Sequence, residues 1–115
     1  MKWVWRIILV LIAGVIGALL LFRTPDSDAG AMQAKYGGGQ ARFVESGQAR
    51  IHYRDEGPRD APVLLLIHGS NSSLHTWGPT VAAMKGQYRL ISLDLPGHGL
   101  TGPNRNRDYG AQAMI

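Results

Sequence analysis

Two short stretches carry the residue types and spacing for chemistry. His68-Gly69-Ser70-Asn71 follows the apolar run Val63 to Ile67, and Asp94-Leu95-Pro96-Gly97-His98-Gly99 follows a second run, Tyr88 to Leu93. Both stand where a strand gives way to small, turn-forming residues. Gly69 lets the backbone turn without a Cβ clash. Small side chains leave the amide N–H groups of this loop facing open space. Donors fixed in place before a reaction begins are what a developing oxyanion requires.

Other chemistries fit these residues less well. Gly97 to Gly102 formally matches G-x-G-x-x-G after a strand, but Pro103 follows where a dinucleotide would need a helix N-terminus. A turn that lets the chain leave the sheet is the better reading of Gly97 and Gly99. His68, His75, His98 and Asp94 show no ligand-like spacing, so no metal site is expected. His68 reads as a structural histidine bonded to nearby backbone. Asp94 reads as a carboxylate that fixes the following turn by accepting N–H groups. His98 is a turn residue at a pocket rim, and Trp77 is either core or pocket wall. Asn71-Ser72-Ser73 fits a glycosylation sequon, with nothing else pointing to glycosylation.

The elements that must position these loops follow from the apolar pattern. Val63 to Ile67 has no alternation, which predicts a strand covered on both faces, as in a parallel sheet. Pro79 suits the first turn of a helix running to about Lys85, with Gly86 as its stop. Tyr88 to Leu93 is the next strand. Upstream, Ala41 to Ser46 and Ala49 to Asp55 flank a turn at Gly47-Gln48. Their alternation predicts an antiparallel hairpin with Ile51 and Tyr53 on one face and the other face solvated. Glu56 to Asp60 is a loop, and Asp108 is placed to cap a further helix. In an open α/β sheet, ligands sit at the carboxyl ends of the strands, where both loops fall.

This order of elements resembles the front half of an α/β-hydrolase. That family has a strand ending in HG-x, here His68-Gly69-Ser70. Small residues and an aromatic then precede the first helix, here Ser72, Ser73 and Trp77. A later strand ends in D-x-P-G-x-G, here Asp94, Pro96, Gly97 and Gly99. The match covers roughly residues 41–115. The resemblance implies that the backbone N–H of Ser70 forms half of an oxyanion hole, with Asn71 the lesser candidate. His68, Gly69, Asp94, Gly97 and Gly99 would support the loops, and no cofactor is implied. Ser70 is not a nucleophile in this reading, because it does not sit in a G-x-S-x-G elbow.

The family's nucleophile, acid and catalytic histidine have no counterpart up to Ile115. The expectation is the N-terminal part of a hydrolase of a small ester, amide or related bond, inactive by itself. Dehalogenases and epoxide hydrolases, which use an aspartate nucleophile, often carry a proline soon after HG. This loop has none before Pro79, which favours the serine branch. A noncatalytic membrane-tethered binding module is the rival from another class.

The N-terminus reads differently. Ile7 to Phe22 carries no charge, and about 20 helical residues span roughly the 30 Å of a bilayer's hydrocarbon. Trp3 and Trp5 would sit at one interface. Lys2 and Arg6 precede the run, which predicts a cytoplasmic N-terminus with the remaining domain on the outer side. A signal peptide cleaved near Ala29-Gly30-Ala31 is the alternative. Residues 1–23 are thus read as a signal anchor, 24–40 as a flexible linker and 41–115 as an incomplete α/β-hydrolase domain. The formal charge is +4, but residues 24–115 hold nine basic and eight acidic side chains. That balance gives no electrostatic footprint for nucleic acid. The expected partners are a membrane and a small-molecule substrate. The chain has no cysteine, which excludes disulfides and thiolate chemistry.

Overall fold

The computed structural model describes residues 2–110 and 112. The first element is α1, Lys2–Leu21, with no buried residue. Its mean hydropathy of 2.6 makes it long and apolar enough to cross a membrane, a property that signal sequences share. A turn of helix, α2, follows at Ala29–Met32, then a π-helical turn at Gln33–Gly37 and a 3₁₀ turn at Gly38–Gln40.

The rest forms a four-stranded mixed sheet in the order β1-β2-β4-β3. Strand β1 is Arg42–Ser46, β2 Ala49–Glu56, β3 Val63–Ile67 and β4 Arg89–Leu93. Strands β1 and β2 form the expected antiparallel hairpin, with Phe43 opposite His52. Strand β4 lies antiparallel to β2 and parallel to β3, with Leu65 opposite Ile91. Parallel strands need a crossover, supplied by a 3₁₀ turn at Leu74–Trp77 and helix α3 at Gly78–Met84. Pro79 occupies the first turn of α3, where its missing N–H costs nothing. A bidentate pair between Arg89 on β4 and Asp55 on β2, at 2.7 and 2.9 Å, ties the two strands together. The hydrogen bonds from Arg89 hold the Asp55 carboxyl below the usual carboxylate range.

Three expectations need correction. Residues 29–40 are not a flexible linker. Asp28 caps α2 by accepting from the Ala31 N–H at 2.7 Å, and Arg54 on β2 donates to the carbonyls of Tyr36 and Gly37. Of the glycines that look like breakers, Gly37 has its carbonyl held by that guanidinium, and Gly38 and Gly39 begin the 3₁₀ turn. Nor is the polar face of the hairpin uniformly solvated: His52 is fully buried, while Ile51 and Tyr53 are only half-buried. Its imidazole is covered because the turn after β4 folds over it. Strand β3 is not covered on both faces, for Val63, Leu65 and Ile67 are 54%, 56% and 51% exposed. They share one face of β3, which lies at the edge of the sheet among the described residues. The helix expected after Asp108 runs into positions 111 and 113–115, outside the described residues; the Asp108 carboxylate does accept from the Gly110 N–H.

Candidate functional site

The residues that come together at the carboxyl ends of β3 and β4 are mostly polar and mostly buried. Asp94, just past β4, is 1% exposed. Its Oδ2 accepts from His52 Nδ1 at 2.7 Å and from the Leu100 N–H at 2.9 Å, and its Oδ1 accepts from the Leu74 N–H at 2.7 Å. One carboxylate therefore joins β2, the loop after β3 and the turn after β4. Burial pushes the Asp94 carboxyl up, but the bonds from His52, Leu74 and Leu100 outweigh it and hold the group below the usual carboxylate range.

Thr101 completes the cluster. Its hydroxyl donates to the Asp94 carbonyl at 2.6 Å and accepts from the His52 N–H at 2.9 Å. Gly99, at φ +49°, passes so close to Asp94 that any Cβ there would overlap the carboxylate. Gly97 also has positive φ, and its N–H donates to the Gly102 carbonyl. The glycine run is thus a turn wrapped around an aspartate, and Pro103 follows it with no helix opening directly at its end among the described residues, as a pyrophosphate would need.

His68 orients the neighbouring loop. The Leu95 N–H donates to His68 Nε2 at 3.1 Å, so the ring proton lies on Nδ1, which donates to the Gly69 carbonyl at 2.7 Å. The Gly69–Ser70 peptide is trans, so its N–H points opposite to its carbonyl. Holding the carbonyl of Gly69 against His68 therefore turns the Ser70 N–H away from the ring. Neither Ser70 nor Asn71 has a protein acceptor for its N–H among the described residues, and both residues are exposed. Asn71 adopts φ +58°, the left-handed conformation that asparagine tolerates.

The other candidates lie nearby with different roles. His98 Nδ1 donates to the Pro96 carbonyl at 3.2 Å, and its ring centroid is 5.2 Å from that of His68. The indole nitrogen of Trp77 is buried without a partner among the described residues. Neither lines the adjacent cavity of about 590 Å³, which is walled by Met32, Tyr36, Ser73, His75, Asp94 and Leu100. Sequence reasoning missed His52, Thr101 and the two cavity residues before β1. No local signal marks them: His52 and Thr101 meet Asp94 only when the sheet closes. Among the described residues no His, Asp or Glu group is placed to hold a metal ion.

No protein-family model matches the chain. The magnesium-chelatase 30 kDa subunit of Rhodobacter capsulatus is 40% identical over 60 residues, 52% of this chain and 21% of that protein. The haloalkane dehalogenase of Psychrobacter cryohalolentis is 39% identical over 73 residues, 62% of this chain and 24% of that protein. The crystal structure of the Cif epoxide hydrolase from Acinetobacter nosocomialis superposes with a TM-score of 0.57 at 28% identity, covering 79% of this chain and 32% of that one. The chain spans about a fifth to a quarter of the length of these curated relatives.

Proposed function

The chain belongs to the α/β-hydrolase fold family, and from that premise we propose that it supplies the oxyanion-binding loop of a membrane-anchored hydrolase of a small ester, amide or related bond. The observation that carries this is the N–H of Ser70, which lies just past the carboxyl end of β3 without an acceptor among the described residues, its peptide oriented by the His68–Gly69 hydrogen bond. When a nucleophile attacks a carbonyl, charge collects on the carbonyl oxygen. A backbone donor already in position stabilises that oxygen with no reorganisation. Its partners in the reaction are a nucleophile, a histidine and an acid contributed by the remainder of the enzyme. Helix α1 holds the domain on the outer membrane surface.

A second reading is favoured by the relatives, since one is a haloalkane dehalogenase and another an epoxide hydrolase. In that reading an aspartate nucleophile forms a covalent ester as it displaces halide or opens the epoxide C–O bond, and water then cleaves the ester. The Ser70 N–H serves both readings, because cleaving that ester also builds charge on a carbonyl oxygen.

The test is a pair of substitutions in the complete enzyme. Ser70→Ala keeps the amide and should leave kcat nearly unchanged. Ser70→Pro removes the donor and should lower kcat by about 10²–10³. An unchanged melting temperature and circular dichroism spectrum must accompany the proline variant. If Ser70→Ala abolishes turnover while a well-folded Ser70→Pro does not, the backbone assignment is wrong.

A further inference from the structure

We infer that His52 is a positioning residue for the loop after β3: acting through Asp94, it fixes where the Ser70 N–H stands. This rests on the oxyanion reading of that N–H and extends it to a side chain on another strand.

The loop is clamped at both ends to one short segment. At its start, the Leu95 N–H donates to His68 Nε2, and His68 Nδ1 donates to the Gly69 carbonyl. At its end, the Leu74 N–H donates to Asp94 Oδ1 at 2.7 Å. Ser70 to Ser73 therefore spans between contacts made by two consecutive residues, Asp94 and Leu95. Where that pair sits decides where the Ser70 N–H sits.

Three bonds tie the pair to His52. The Asp94 N–H donates to the His52 carbonyl at 2.9 Å. The Thr101 hydroxyl joins the His52 N–H to the Asp94 carbonyl. His52 Nδ1 donates to Asp94 Oδ2 at 2.7 Å. The first two use only the backbone of residue 52, so another side chain there leaves them in place. The third needs the imidazole. Together with the Leu100 N–H on the same oxygen, it sets the rotation of the carboxylate, and so the direction in which Oδ1 holds Leu74.

Stability alone does not account for a histidine at this place. His52 is fully buried, and its Nε2 has no partner among the described residues. A deprotonated carboxylate has no proton to give, so the shared proton lies on Nδ1 and Nε2 is a bare acceptor shut away from water. An unsatisfied buried acceptor opposes folding. A leucine or phenylalanine would fill the space beside Phe43, whose ring centroid is 5.2 Å away, without that loss. Neither could donate to Asp94.

The geometry is tested without any substrate, by NMR on the ¹⁵N-labelled full chain in dodecylphosphocholine micelles. In His52→Leu the order parameter of the Ser70 N–H should fall from about 0.85 to below about 0.6, while Phe43 and Val44 on β1 keep theirs. His52→Asn, whose amide can donate to Asp94 from the same place, should restore the rigid value. A Ser70 N–H unmoved by His52→Leu overturns the inference. So does an equal loss of order in β1 and the loop, which would mean a merely structural role. If His52→Leu does not fold, His52→Phe takes its place, since it keeps a ring and removes the donor.

The consequence for catalysis is tested by a double-mutant cycle in the complete enzyme, with p-nitrophenyl butyrate as substrate. His52→Leu should lower kcat about tenfold or more and leave KM unchanged, because the bond it disturbs is made only in the transition state. In a Ser70→Pro background the donor is already gone, and His52→Leu should have no further effect. The same loss in both backgrounds overturns the inference and leaves the oxyanion reading standing. A well-folded Ser70→Pro with unchanged kcat instead removes the oxyanion reading, and this inference with it.

Discussion

The loops beyond β3 and β4 and the outer face of β3 are opposites. The loops bury His52, His68, Asp94 and Thr101, all polar. The strand face a few residues away exposes Val63, Leu65 and Ile67, all apolar. Burial here follows hydrogen bonding more closely than residue polarity. Asp94 can be buried because His52 and two backbone N–H groups saturate it. The loop geometry is therefore specified by contacts within the chain. The apolar face of β3 has no such partner among the described residues, and apolar surface of that kind marks an interaction or packing site.

The strongest way to break this contrast is Asp94→Ala. It leaves His52, Leu74 and Leu100 with buried groups unpaired and should cost about 3–5 kcal/mol, read as a lowered denaturant midpoint. A loss under about 1 kcal/mol would mean that the cluster does not hold the loops. Gly99→Ala comes next: positive φ and overlap with Asp94 should together cost at least about 1–3 kcal/mol. Equal stability of Gly99→Ala and wild type would disprove the close approach.

Acid should act on the same cluster more gradually. Because folding lowers the Asp94 pKa, its stabilisation is fully present above the unfolded value of 3.8 and is lost as pH falls through the lower folded value. Stability measured across pH 2–6 should fall at the acid end, and that fall should vanish in Asp94→Asn except for a smaller contribution from Asp55, whose pKa is also lowered. The smallest effect belongs to the other region. Leu65→Gln should change stability by no more than about 0.5 kcal/mol yet reduce self-association in light scattering. A large destabilisation would show that the β3 face is already packed.

The strands were legible because their signals are local. Val63 to Ile67 is apolar and β-branched at both ends, and its bounds coincide with the observed strand. Pro79 and the residues near Gly86 bracket the helix for the same reason. His52 was illegible because its alternation puts it on the polar side of a hairpin, while its partners Asp94 and Thr101 lie far along the chain. The docked segment before β1 was misread because Gly37-Gly38-Gly39 resembles a breaker run, and the Arg54 side chain that fastens it comes from β2. For Ser70, residue types suggested amide donors in the loop. The direction of its N–H depends on a hydrogen bond of the neighbouring histidine that no spacing reveals.

The strand order has a consequence for how this chain is made. Strand β4 separates β2 from β3, although β3 is synthesised first. Each ribosome therefore releases VLLLI before β4, its strand partner among the described residues, exists. Leu93, the end of that partner, follows Ile67 by 26 residues. At ordinary elongation rates of 5–20 residues per second, the gap lasts about 1–5 s. For that interval the nascent chain carries an unpaired hydrophobic strand. A pause between the Gly69 and Leu93 codons would lengthen its exposure to chaperones and to neighbouring chains alike.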